Sequence, residues 1–158
     1  MPSFSHLHCH SQFSLLDGAS PIDDMFAKAK ADGMRAVALT DHGNMFGAID
    51  FYTRAIKAGI KPILGSEVYF TPGSRFDRRP PKNSKTVSSQ DEVESKHQIH
   101  HLVLLCKNQV GYENLCKLLS KAYLEGFYYK PRIDLDLLRE FSEGLIATTA
   151  CLKGEVAF

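Results

Sequence analysis

The sequence predicts an α/β protein built on a mostly parallel sheet that rolls into a barrel. Three observations predict it. Strand and helix signals alternate along the chain, which implies βα units joined by right-handed crossovers. Metal-competent side chains recur at strand ends: His8 and His10 after the first strand, His42 after the second, Glu67 late in the third and Cys151 after the fifth. That is the end of a barrel where active sites sit. Parity agrees, since in "RAVALT" Val37 and Leu39 face one way, toward helices, while Ala38, Thr40 and His42 face the other, giving a polar inside and an apolar outside.

The first strand is expected over 4–10, because successive side chains of a strand alternate between its faces and "SHLHCH" puts His6, His8 and His10 on one of them. Ser20-Pro21 then supplies an N-cap and a first-turn proline for a helix to about Ala31, closed by Gly33. Residues 35–40 form a short strand, "DHGNMFG" a turn, and 48–58 a helix ended by Gly59. Residues 61–70 ("KPILGSEVYF") form the third strand, in which Gly65 shares the face of Glu67 and is expected to leave room for bulky ligands. From about 71 to 97 Pro, Ser and mixed charge replace apolar side chains, so a long surface loop is expected. A fourth strand follows over 99–107, helices over 110–124 and 133–141, and a fifth strand over 144–150.

With 158 residues, 44% apolar and 23% charged, the chain has the material for one globular domain with a core. A net charge of +1 lacks the basic excess of a stand-alone nucleic-acid binder. No apolar run is long enough to span a membrane and no signal-peptide pattern opens the chain, so a cytoplasmic location is expected. The four cysteines lie far apart without a CxxC pair, which fits reduced thiols.

An imidazole is a good ligand for zinc, iron or copper and an ordinary general base, so imidazoles spaced along one face suggest a metal site. The neighbouring residues divide. Asp41 could accept a ring N–H from a neighbouring ligand, or form a turn or cap a helix. His6 is expected as a hydrogen-bonded core histidine, His97 and His100 as surface or structural, and Cys106 as packing. His101, at the start of its strand, does not fit the strand-end rule.

Five stretches resemble the polymerase-and-histidinol-phosphatase (PHP) family: "HLHCHSQFSLLDGA", "ALTDHGNMFGAIDFY", "AGIKPILGSEVY", "HHLVLLCKNQVGYENL" and "GLIATTACLKGEV". "SLLDGA", "GIKPILGSE" and "ACLKGE" resemble the branch at the N-terminus of bacterial replicative DNA polymerases. The resemblance implies a distorted (β/α)7 barrel over 1–158 whose last strands and closing Asp-x-His pair lie beyond Phe158. It implies metal ligands at His8, His10, Asp17, His42, Glu67, His101 and Cys151, the last standing where other members carry histidine, and so adds Asp17 and His101 to the set. Two to three divalent ions (Zn, Mn or Fe) are expected, with water as the nucleophile and no side chain assigned as catalytic.

The implied function is metal-dependent phosphodiester hydrolysis, 3′ to 5′ exonuclease proofreading in this branch, within a DNA-directed DNA polymerase. Its partners would be DNA, reached through the full-length polymerase, and other replicase subunits. The alternatives are a metal-braced scaffold and interaction module, and a free-standing histidinol-phosphatase-like phosphoesterase. An unfinished barrel would expose strand edges, so self-association is also expected.

Overall fold

A computed structural model describes residues 4–15, 17–78, 99–152 and 154. The strand expected over 4–10 does not form, because the segment bends over residues 7 and 8 and meets the sheet through hydrogen bonds from the Ala38 and Thr40 amides to the carbonyls of His6 and Cys9. The elements that follow are α1 (Ile22–Ala31), β1 (Ala36–Leu39), α2 (Ala48–Ala58), β2 (Lys61–Phe70), β3 (His100–Cys106), α3 (Gln109–Leu124), β4 (Phe127–Tyr128), β5 (Lys130–Ile133), α4 (Leu135–Glu140) and β6 (Leu145–Thr148). No helix among the described residues is long and apolar enough to cross a membrane.

The sheet is mixed, a correction to the mostly parallel arrangement expected. β1 and β5 run parallel to β2, but β3 is antiparallel to β2, β6 to β3 and β4 to β5. The six strands follow the order β4-β5-β2-β3-β6 with β1 also on β2, and among the described residues this path does not close into a barrel. The reason lies in the connection after β2. A parallel neighbour needs a crossover, usually helical, whereas this stretch has the composition of a loop and returns antiparallel. Residues 79–98 of that expected loop, with His97, lie outside the described residues. Its described start is anchored, with the Thr71 amide on the Ile133 carbonyl and Arg75 on Asp134 and Glu125.

Two apolar layers cover the sheet. Val37 and Leu39 pack with Ile22, Phe26, Phe51 and Ala55 of α1 and α2, while Val68, Phe70 and Leu104 pack with Leu115, Leu118 and Leu137 of α3 and α4. Cys106 packs against the second layer as expected, and burial pushes its thiol up to about 12. The opposite face is not wholly polar: Ala38, Val103 and Leu105 form a small apolar floor below the histidines.

Three element boundaries differ from expectation. Pro21, not Ser20, stands at the α1 N-cap, with no side-chain cap bond. Ile133 ends a strand instead of starting a helix, because Asp134 caps α4 by accepting from the Leu137 amide at 3.0 Å. Gly65 gives room to the sheet and not to ligands, since a Cβ there would lie 2.4 Å from the Leu104 carbonyl oxygen.

Candidate metal centre

Glu67 is the hub. It lies on the inner face of β2, 2% exposed, and its carboxylate meets imidazoles from three directions. His8 Nε2 and His10 Nε2 lie 2.5 and 2.7 Å from Oε2, and His101 Nδ1 lies 2.7 Å from Oε1. Asp17 makes a second hub, its Oδ2 2.7 Å from His42 Nε2 and 3.3 Å from His10 Nδ1. The potential ligands thus form three overlapping groups, His8–His10–Glu67, His10–Asp17–His42 and His42–Glu67–His101, with ligand atoms within 4.8 Å of one another in each.

Local structure explains each placement. An isolated parallel bridge between His42 and Glu67 extends the β1–β2 pairing past the end of β1, with the Gly43 amide on the Glu67 carbonyl and the Glu67 amide on the Asp41 carbonyl. Antiparallel β3 sets its first residues beside the last of β2, in register Tyr69 to His101. That is why His101, at the start of a strand, reaches a site built from strand ends. Asp17 sits in a turn closed by the Gly18 amide on the Ser14 carbonyl at 2.7 Å. Gly18 is required there, since a Cβ would lie 1.8 Å from the Ser11 carbonyl oxygen.

Buried polar residues that the sequence reading did not single out hold the histidines in place. Thr40 Oγ1 accepts from the Cys9 amide and donates to the Cys9 carbonyl, fixing the residue between His8 and His10. Ser14 Oγ accepts from the His42 amide, and Asn44 donates to the carbonyls of Phe13 and His42. Short polar side chains beside ligands were the available signal. Asp41, which the sequence did single out, acts beside them: its two oxygens accept from the Ser11 amide at 2.6 Å and the Ser11 hydroxyl at 2.9 Å, bracing the segment after His10.

One expectation changes. His6 is exposed and stacks edge-to-face on Phe4, so it is not a core histidine. Cys151 lies at the margin, exposed, with Sγ 3.7 Å from His101 Nδ1 and outside the three ligand groups.

The donor set fits divalent ions. Burial works to raise the Glu67 carboxyl, but hydrogen bonds from His10, His101 and His8 hold it far below the usual carboxylate range. Burial likewise opposes ionisation of Asp17, and the Ser14 hydrogen bond with the His42 and His10 charges outweighs it. The Glu67 hydrogen bond raises His10, while burial lowers His42 and favours its neutral, ligand form. Two anionic carboxylates therefore face crowded imidazoles, with His8 Nε2 only 3.2 Å from His10 Nε2 and the buried His42 Nδ1 without a hydrogen-bond partner. Positive charge belongs at the centre of such a set, and mixed imidazole and carboxylate donors suit zinc, manganese or iron.

The chain is 58% identical over 152 residues to DNA polymerase III subunit alpha of Aquifex aeolicus, covering 96% of the chain and 12% of that protein. It is 51% identical over 158 residues to DNA polymerase III subunit alpha of Helicobacter pylori strain J99, covering 99% of the chain and 12% of that protein. The chain thus spans about an eighth of the length of these relatives. Among solved structures it is similar to an amidohydrolase from Chromobacterium violaceum, with 24% identity and a TM-score of 0.48 over 75% of this chain and 32% of that one. The family model for the PHP domain matches residues 6–158, a span that takes in every candidate ligand, and the chain belongs to the PHP domain family.

Proposed function

We propose that the cluster holds two to three divalent metal ions, zinc, manganese or iron, and hydrolyses phosphodiesters within a bacterial replicative DNA polymerase, as a 3′ to 5′ exonuclease. The observation that carries the proposal is the sharing of ligands. His10, His42 and Glu67 each belong to two of the three ligand groups, as expected where ions sit side by side and not for one isolated ion. Bound ions would supply Lewis acidity, activating water and neutralising phosphate oxygens. The chain's own part is to hold the ligands, with Glu67 and Asp17 ionised and Cys151 as a further donor beside His101. The larger protein would be a DNA-directed DNA polymerase, which supplies DNA, neighbouring replicase subunits and a cytoplasmic setting. Self-association of the chain would be read from the concentration dependence of its sedimentation.

A second reading has a specific observation in its favour. The cluster ties the N-terminal segment to β1, β2 and β3, so bound metal would brace the fold even without chemistry, as in a scaffold. One experiment separates the two. Metal-loaded full-length protein is incubated with a 3′-labelled single strand, alongside its His10→Ala variant. Release of the terminal nucleotide that the variant loses while remaining folded supports hydrolysis. No release at saturating Mn²⁺ or Zn²⁺, with the variant less stable, leaves the scaffold.

A further inference from the structure

A cavity of about 350 Å³ opens beside the cluster, with His42 and His101 on one side. Aromatic rings share its other walls with Asp17, Leu15 and Pro131. Phe46, four residues after His42, is 68% exposed, and Tyr129, in the turn between β4 and β5, is 63% exposed. Tyr69 lies at the base, its ring stacked on His42 at 5.7 Å between centroids and 12° between planes. Lys130 adds a cation, with Nζ 5.1 Å from the centre of the Tyr69 ring.

Two features separate this wall from ordinary surface. Phe46 and Tyr129, from distant parts of the chain, are exposed at the mouth of a cavity that reaches the candidate ligands, Tyr129 with its ring edge-to-face with Tyr128 at 4.6 Å between centroids. Tyr129 is also held at φ +61°, a left-handed backbone that a Cβ disfavours. Such conformations concentrate at ligand clamps, where neighbouring structure imposes them.

We propose that this cavity is a subsite for one unpaired nucleobase, that of the 3′-terminal nucleotide of a single strand. Tyr129 and Phe46 offer faces on which the base stacks, and Lys130 stands by for its phosphate. Exposed aromatic faces with an adjacent cation are the chemistry of single-strand recognition, and stacking tolerates any base because every base has a π face. The volume lies at the small end of ligand pockets, room for a single nucleotide. A paired terminal base, with its neighbours stacked, cannot enter, so the subsite favours frayed ends. This inference rests on the phosphodiester reading above.

The test uses the full-length protein and a short single strand carrying 2-aminopurine at its 3′ end behind a phosphorothioate linkage that blocks hydrolysis. Stacking quenches the fluorophore. Wild-type protein is expected to quench it, and Tyr129→Ala and Phe46→Ala each to weaken binding about 10-fold or more. Tyr129→Phe should restore the quench, and an oligonucleotide with an abasic 3′ end should bind wild type and variants alike. Phe46 is exposed in a loop, so its variant reports on stacking even where Tyr129→Ala disturbs the turn. Unchanged quench in both alanine variants, or equal weakening for the abasic strand, overturns the subsite. Hydrolysis of bis(p-nitrophenyl) phosphate by metal-loaded wild type, a substrate without a base, tests the phosphodiester reading alone. Its absence with the variant-sensitive quench intact would sink that reading and keep the subsite.

Discussion

Glu67 shows how one residue organises this site. A buried carboxylate is costly unless its charge is matched, and here the matching groups are imidazoles delivered by separate segments. Glu67→Gln keeps the shape but removes the shared anion, so bound metal per chain should fall to background in elemental analysis of protein purified without chelator. Metal content equal to wild type would show that Glu67 is not a ligand. Much of this site was legible in the sequence: alternation along β2 carries Glu67 to the inner face, and the His-x-His spacing marked His8 and His10 although no strand forms there. Asp17 was not, since it sits in a turn whose geometry depends on Ser14 and on the close approach at Gly18. The bracing by Thr40, Asn44 and Asp41 was hidden for a similar reason, because short polar side chains satisfy distant backbone groups that only the fold brings near.

Among the elements, helices and strands with unbroken periodicity were readable to the residue, as with α2 before its left-handed Gly59 and the ten residues of β2. Strand direction was harder. The absence of a helical pattern between β2 and β3 was the sign of antiparallel return, and it also explains His101. The short β4–β5 hairpin was missed because two- and four-residue strands carry almost no period. That hairpin leads into Asp134, which caps α4 and pairs with Arg75 at 2.9 Å. Burial works to raise the Asp134 carboxyl, but the Arg75 and Leu137 amides and the Arg75 guanidinium hold it below its ordinary value. A carboxyl lowered on folding contributes stability that is present above its unfolded pKa, about 3.9, and is lost as pH falls through the folded value. Urea unfolding should therefore show stability dropping below about pH 4, and Asp134→Ala should cost at least about 1 kcal/mol at neutral pH through the lost cap alone. The variant should also show a shallower acid loss. An unchanged acid profile would mean that Asp134 is not the group responsible.

For the molecule as a whole, the cluster joins the N-terminal segment to β1, β2 and β3. The segment containing His8, His10 and Asp17 has no regular strand of its own, and hydrogen bonds to residues 38–44 hold it to the sheet. Cys9 and Phe13 of this segment also pack against the α1–α2 layer, so apolar contacts and hydrogen bonds together hold it where metal would bind. Metal binding to the folded state alone adds RT ln(1 + [L]/Kd), about 2.7 kcal/mol at 100 times Kd. For a chain of this size that corresponds to a rise in melting temperature of roughly 5–11 °C. Mn²⁺ or Zn²⁺ added to chelator-treated protein should produce that rise, and hydrogen exchange should slow most at the amides of residues 8–18. His10→Ala removes a ligand common to two groups and should abolish both effects while leaving α3 and its core protected. If the melting temperature does not move with metal, or moves equally in His10→Ala, the cluster is held by its own hydrogen bonds and neither the hydrolytic reading nor the metal-braced scaffold survives.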